Sequence, residues 1–137
     1  MNQHTFTTPP PPTVWPSVGF TNPDAGIAFL EGLGFVVTAQ YRDEDGTIQH
    51  AEARWPDGGG VMFGSRGKPG DWGALGPSGC YVACADKVRV ESALAGVRGL
   101  EGVEVLAEPE LTSYGSFQFN VRDADANLWS VGTYLGE

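Results

Sequence analysis

The strand predicted from Thr47 to Trp55 carries the residues best suited to acid–base chemistry. Polar and apolar residues alternate along it, which places His50, Glu52 and Arg54 on one face. If that face lines a cavity, the Glu52 carboxylate could exchange a proton with a ligand or bind a cationic one. The same residues also suit an ion pair on a solvated face, which is the commoner arrangement. The pattern leaves both interpretations open.

Other familiar catalytic arrangements are excluded. The chain has two histidines, His4 near the N-terminus and His50, so neither a Ser-His-Asp nor a Cys-His arrangement is available. Cys80 and Cys84 share one strand face at a separation of about 13 Å, too far for a disulfide. We interpret both as small buried hydrophobes of a reducing compartment. Residues 58–60, three glycines between two strands, are not typical of a phosphate-binding loop.

Charge and length exclude two classes of partner. The chain of 137 residues carries 17 acidic and 8 basic residues, a net charge of −9. A nucleic-acid-binding protein needs a basic surface, and this composition offers none. The acidity could attract a cationic ligand, although the ordinary solubility of a charged surface is the favoured explanation. Because no apolar run reaches the ~18 residues of a membrane span and no signal peptide is recognisable, we expect a cytoplasmic protein.

The elements that must position these residues begin with a first unit at residues 13–65. The sequence pattern of this unit predicts a strand, a helix and three further strands. The first strand is expected from Thr13 to Phe20, with Val14 on its apolar side. The helix begins at Asn22-Pro23, where an N-cap precedes a proline, and ends at Gly34.

A second unit repeats this order over about residues 78–134. Its helix is expected from Lys87 to Val97, with Asp86 as the N-cap, and the strand after the helix from Val103 to Leu106. A linker rich in glycine and proline, residues 65–78, joins the units. Residues 1–12 end in four prolines and predict an extended, disordered tail. We therefore predict one α+β domain over residues 13–137, in which two βαβββ modules form a curled mixed sheet.

Three stretches resemble motifs of the glyoxalase/bleomycin-resistance/dioxygenase superfamily, also called vicinal oxygen chelate proteins. Residues 22–35 resemble its first helix. Residues 50–54 and 60–64 resemble the H-A-E-L-R … M-L-G hairpin of a PhnB-type subgroup. Residues 123–130 resemble the closing D-P-x-G-N-x-x-E turn and strand. Their order and spacing imply two modules that curl into a cup, usually paired with a second chain.

The resemblance also implies where metal ligands would stand. In metal-bearing members, four cup-facing positions supply His, Glu or Gln; here they fall on Trp15, on Met62 or Phe63, on Gly79 and on Ser130. None of these side chains is a donor suited to zinc, manganese or iron(II). We expect no metal and no cofactor, and none of the chemistry that needs a chelated substrate.

Aromatic side chains are expected to occupy the place of the metal. The candidate ligand-binding residues are those expected at the cup face or its mouth: Trp15, Glu52, Met62, Trp72, Gly79, Tyr81, Tyr114 and Ser130. Aromatic walls without a metal suit a flat or heteroaromatic ligand. By strand parity, Trp55 and Trp129 belong to the core instead.

These residues favour a metal-free protein that sequesters a drug-like or natural-product ligand, as the bleomycin-resistance branch implies. One alternative is a metal-independent isomerase, lyase or cyclase, with Glu52 or Tyr114 as proton donor or acceptor. Another is a fold that serves protein association alone. In each case we expect a homodimer, because an open cup of eight strands leaves edges for a second chain to cover.

Overall fold

Two four-stranded mixed sheets and two α-helices make up residues 9–137, the part of the chain that the computed structural model describes. The predicted α+β fold is confirmed, with the order β-α-β-β-β occurring twice. His4 and residues 1–8 of the predicted tail lie outside the described residues. Both helices have 11 residues, and none within the described range is long and apolar enough to cross a membrane.

The first module forms sheet A and helix α1. Its elements are β1 (Ser17–Phe20), α1 (Pro23–Leu33), β2 (Val36–Arg42), β3 (Ile48–Arg54) and β4 (Gly60–Ser65). The strand order is β1-β4-β3-β2, and only the β1–β4 pair of this sheet is parallel. Asn22 caps α1 as predicted, because its side chain accepts a hydrogen bond from the Ala25 amide at 3.2 Å. Gly34 ends the helix with a φ of 122°, which favours glycine.

The second module forms sheet B and helix α2. Its elements are β5 (Gly79–Ala83), α2 (Lys87–Val97), β6 (Glu104–Leu111), β7 (Phe117–Arg122) and β8 (Leu128–Gly132). The strand order, β5-β8-β7-β6, repeats that of sheet A. Asp86 caps α2 by accepting a hydrogen bond from the Arg89 amide at 2.9 Å. A short 3-10 helix, Asp71–Ala74, lies in the linker between the modules.

Two strand boundaries differ from the prediction. β1 begins at Ser17 rather than Thr13, and Val14 is 81% exposed instead of packing in the core. Pro16 precedes the strand and has no amide hydrogen for a ladder, which explains the late start. β6 continues to Leu111, beyond the predicted end at Leu106. It is an edge strand with register shifts near Pro109, and a sheet tolerates proline in that situation.

The two helices cross in direct backbone contact. A Cβ built on Gly96 of α2 would collide with the carbonyl oxygen of Gly32 in α1, and one on Gly32 would collide with Gly96 in turn. Only glycine at both positions allows this approach. In each sheet we call the face toward the helices the inner face and the opposite one the outer face.

Aromatic residues join the two modules into one core. The Trp129 ring on β8 packs against Phe29 and Phe35 of the first module, with ring centroids 5.4 and 6.1 Å apart. The Trp55 indole donates a hydrogen bond to the Ala83 carbonyl at 3.0 Å. Trp55 and Trp129 are 5% and 1% exposed, which confirms their predicted core positions. The modules therefore pack through their inner faces, with the helices between the sheets.

Candidate functional site

The residues predicted for acid–base chemistry lie on β3, and their side chains are on the outer face of sheet A. Along β3, Ala51 and Ala53 are buried while His50, Glu52 and Arg54 are half-exposed, as the alternation predicts. Glu52 stands opposite Met62 in the β3–β4 register, so Met62 shares the outer face. Phe63 points the other way and is 4% exposed in the core. Of the two alternatives for the fourth strand, Met62 is therefore the one that shares the outer face with Glu52.

His50 and Glu52 form a close pair. The His50 Nε2 lies 2.7 Å from the Glu52 Oε2, and both side chains remain partly exposed. Each residue is two positions from the other, so the strand pleat directs both to the same side. The sequence left open a pairing on this face, and the structure shows a hydrogen-bonded contact between His50 and Glu52 in which Arg54 takes no part. A carboxylate bonded to an imidazole can hold the ring in place and share a proton with it.

Trp15 covers one end of the outer face of sheet A. Its ring lies over the Arg54 guanidinium, 5.9 Å from the ring centroid. Its indole nitrogen donates a hydrogen bond to the Pro12 carbonyl at 3.2 Å. A Cβ on Gly60 would lie 2.8 Å from the ring, so the missing side chain makes room for it. Contacts within the chain therefore hold the Trp15 ring on the outer face without a ligand.

A hollow of about 270 Å³ lies between the outer face of sheet A and the linker. We call it the sheet A hollow; its lining includes Ser17, Gln49, His50, Met62, Gly64, Lys68, Trp72 and Leu75. The linker is tied by a hydrogen bond from the Gly67 amide to the Gly73 carbonyl at 2.8 Å. Trp72 lies on this tied segment and is 65% exposed. The hollow thus has an aromatic rim that is free to meet a ligand.

Sheet B carries a second group of candidates on its outer face. Tyr81 stands opposite Ser130 in the β5–β8 register, and Gly79 is two residues away on the same face. The Tyr81 hydroxyl donates a hydrogen bond to the Tyr134 carbonyl at 2.7 Å. The Ser130 hydroxyl donates one to the Asn120 Oδ1 at 2.7 Å. This face offers hydroxyl and amide groups beside a ring that is 41% exposed.

Tyr114 lies in the turn before β7. Its hydroxyl donates a hydrogen bond to the Gln118 Oε1 at 2.9 Å. Its ring packs edge-on against Tyr134 at a centroid distance of 5.5 Å. Because Gln118 shares a strand face with Asn120, Tyr114 borders the outer face of sheet B.

The eight predicted site residues do not meet in one chain. Trp15, Glu52, Met62 and Trp72 are associated with the outer face of sheet A. Gly79, Tyr81, Tyr114 and Ser130 are associated with that of sheet B. Because the sheets pack through their inner faces, these two groups point away from each other. A single chain therefore presents two candidate half-sites.

Sequence reasoning missed three polar residues near these half-sites. Gln118 and Asn120 stand on the outer face of β7, and the alternation Phe117-Gln-Phe-Asn-Val121 would have identified them. Lys68 reaches the sheet A hollow from the linker. No local pattern indicates Lys68, because its position depends on how the linker folds over the sheet.

The residues at the family's metal positions do not fit a metal ion. Met62 belongs to sheet A, Trp15 lies over that sheet beside Gly60, and Gly79 and Ser130 belong to sheet B; none offers an anionic or imidazole donor. The Ser130 hydroxyl is bonded to a neutral amide. Within residues 9–137, no three His, Cys, Asp or Glu side chains are grouped so that they could hold a metal.

A larger cavity of about 610 Å³ lies at one side of the two modules. Phe35, Trp55, Cys80 and Cys84 contribute to its largely apolar wall. Both cysteines are free, and burial raises the pKa of each thiol. The thiols are therefore protonated near neutral pH, which makes them poor nucleophiles.

Comparison with known proteins gives matches to solved structures. No family model and no curated protein sequence matches this chain. The crystal structure of TioX from Micromonospora sp. ML1 is 24% identical, covers 87% of this chain and 95% of its own, and superposes with a TM-score of 0.66. A bleomycin resistance determinant encoded on the transposon Tn5 is 18% identical, with coverages of 91% and 99% and a TM-score of 0.61.

Two further structures extend the range of this similarity. A PhnB protein from Bacillus cereus, described as a putative 3-demethylubiquinone-9 3-methyltransferase, is 12% identical over 88% of this chain and 98% of its own, with a TM-score of 0.65. A bleomycin-binding protein complexed with bleomycin is 18% identical over 90% and 98%, with a TM-score of 0.61. At these identities the likeness establishes the fold. It is the glyoxalase/bleomycin-resistance/dioxygenase fold that the sequence motifs predict.

Proposed function

We propose that this protein binds a flat aromatic small molecule in a groove between two copies of the chain and sequesters it unchanged. The observation that carries the proposal is the division of the candidate residues between two outer faces that point away from each other. If the outer face of sheet A in one copy faces that of sheet B in another, the half-sites meet. A twofold axis then produces two identical grooves.

The outer faces carry apolar surface that suits such an association. On sheet A, Val36 and Tyr41 are 55% and 64% exposed; on sheet B, Leu106 and Leu128 are 41% and 46% exposed. Exposed apolar residues gathered on a face commonly mark an interaction surface. Both sheets also end in unpaired edge strands, which a second copy would shield.

The chemistry of the groove favours binding over reaction. Trp72 and Tyr81 offer exposed rings for stacking, and Gln118, Asn120 and Ser130 offer polar anchors. The similarity in fold to a bleomycin-binding protein complexed with bleomycin supports sequestration as the mode of action. The residues at the family's metal positions support a metal-free site. Two free thiols at Cys80 and Cys84 suit the cytoplasm, where we place the protein.

The mass of the protein in solution tests this arrangement. We expect light scattering to give twice the chain mass of 14.5 kDa at micromolar concentration. A mass of one chain throughout that range would leave each half-site without its complement and would contradict the proposal.

A metal-independent isomerase, lyase or cyclase is the second candidate, and the His50–Glu52 pair favours it. The 2.7 Å contact between the two side chains could hold the imidazole while Glu52 accepts a proton from a substrate carbon. Tyr114 could act as the donor, although its hydroxyl is already bonded to Gln118. NMR spectra of a bound small molecule recorded over hours distinguish the candidates. A new product that Glu52→Gln abolishes would establish the enzyme, and an unchanged spectrum supports sequestration.

A further inference from the structure

Lys68 differs from the other seven basic residues of the chain in the contacts that its side chain makes. Four of them pair with carboxylates: Arg42, Arg66, Arg98 and Arg122. Three lie over aromatic rings: Arg54, Lys87 and Arg89. The Lys68 ammonium makes neither contact within residues 9–137. Its hydrogen bond in that range goes to the Gln49 carbonyl at 2.6 Å.

The structure holds this ammonium against sheet A. A Cβ built on Gly64 would lie 2.6 Å from the Lys68 Nζ, so the amine occupies space that any other residue at position 64 would fill. The hydrogen bond to the Gln49 carbonyl anchors the ammonium to the neighbouring strand, β3. An ammonium has three N–H donors, and this bond uses one of them. The remaining donors are available to a molecule in the sheet A hollow, which Lys68 helps to line.

Two acidic groups of the first module are engaged by partners other than Lys68. The Glu52 carboxylate is bonded to His50, and Glu52 is not part of the lining of the hollow. The Asp43 carboxylate accepts a hydrogen bond from the Gln49 side chain at 2.8 Å. Lys68 is absent from the ion pairs of residues 9–137, so its ammonium has no carboxylate partner in the described part of the chain. In a protein of net charge −9, such a local cation is what an anionic ligand requires.

We propose that Lys68 binds the acidic group of the ligand, which is therefore a flat aromatic anion such as a carboxylate. This inference rests on the proposed binding function and narrows its ligand class. The ring stacks on Trp72 at the rim while the acidic group reaches the Lys68 Nζ at the floor. A charge-assisted hydrogen bond in a partly buried hollow favours the anion over a neutral analogue by roughly 10- to 100-fold in Kd.

Three naphthalenes that differ in charge test the proposal by titration calorimetry. They are 2-naphthoate, the neutral 2-naphthamide and the cationic 2-naphthylmethylammonium. We expect 2-naphthoate to bind most tightly, with the preference decreasing as salt screens the charge. In Lys68→Met, which removes the charge and leaves an unbranched side chain without the terminal ammonium, the ratio of the naphthoate and naphthamide affinities should fall to about one. Lys87→Met, in α2, is the matched control and should retain the preference.

The outcomes separate this inference from the proposed function. Equal binding of 2-naphthoate and 2-naphthamide, or tightest binding of the cation, would overturn the role of Lys68 while leaving aromatic binding intact. A preference that survives Lys68→Met would place the anion elsewhere and overturn the inference as well. Failure of all three compounds to bind the unaltered protein would overturn both proposals. Thermal melts of each variant verify that the compared proteins are folded.

Discussion

Gly96 of α2 lies against the carbonyl of Gly32 in α1, closer than any residue with a side chain allows. This contact brings the helices together between the sheets. It therefore leaves the two candidate half-sites on opposite outer faces. The position of the site depends on a contact far from any residue that would touch a ligand.

Gly96→Ala should destabilise the protein because its methyl group must force the helices apart. The cost of overpacking outweighs the higher helix propensity of alanine, so we expect a net loss of about 1–3 kcal/mol. Thermal denaturation should show a melting temperature lower by roughly 3–12 °C. Gly76→Ala is the matched control, since nothing lies within 4 Å of its added Cβ. An unchanged melting temperature for Gly96→Ala would contradict this account of the helix pair.

Mixing two defective variants should restore binding if each groove combines two chains. Met62→Trp blocks the outer face of sheet A, and Ser130→Trp blocks that of sheet B, so neither variant should bind 2-naphthoate alone. After subunit exchange at equal amounts, half of the dimers are mixed and each has one unblocked groove. About a quarter of the original binding capacity should return. No recovery, with light scattering showing that dimers have formed, would place the whole site within one chain.

Trp72→Ala should weaken ligand binding and leave stability unchanged. The ring is 65% exposed, so its removal creates no cavity in the core. Loss of one stacking surface should raise the Kd for 2-naphthoate by about 5- to 150-fold. Val88→Ala, at a side chain 69% exposed on α2, is the control for loss of surface apolar area. Equal affinities of the Trp72→Ala and Val88→Ala variants for 2-naphthoate would show that the Trp72 ring does not contact the ligand.

Trp129→Phe should destabilise the fold by breaking a buried polar network. The Trp129 indole donates a hydrogen bond to the Asp123 carboxylate at 3.0 Å, and that carboxylate also accepts from Asn127. Removing the indole donor leaves the carboxylate of Asp123, a residue only 4% exposed, with fewer hydrogen bonds to offset the cost of its burial. We expect a loss of about 1–3 kcal/mol in urea denaturation. Tyr41→Phe, which alters an exposed aromatic residue, should change stability by less than about 0.5 kcal/mol.

Purified protein should hold no stoichiometric metal. After incubation with zinc, manganese or iron(II) and removal of free ions, elemental analysis should give far less than one metal per chain. The physical reason is the absence of anionic or imidazole donors at Trp15, Met62, Gly79 and Ser130. One metal bound per chain, lost in Glu52→Gln, would show that the outer face of sheet A supplies a ligand that these positions do not indicate.

Local pattern determined much of this protein. The alternation along β3 assigned His50, Glu52 and Arg54 to the face opposite the core, and parity assigned Trp55 and Trp129 to the core. These inferences succeed because a strand directs successive side chains to opposite faces regardless of what covers either one. Helix ends were equally predictable, because capping by Asn22 and Asp86 is a local interaction.

The tertiary structure decided which elements pack against each face of the two sheets. Strand periodicity specifies that one face is buried, but it does not specify whether that face meets its own module's helix alone or a second module as well. The contact between Gly32 and Gly96 made that choice and separated the two half-sites. Lys68 depended on tertiary structure for the same reason. Its ammonium reaches sheet A only because the linker folds back over Gly64, a long-range contact that no local pattern encodes.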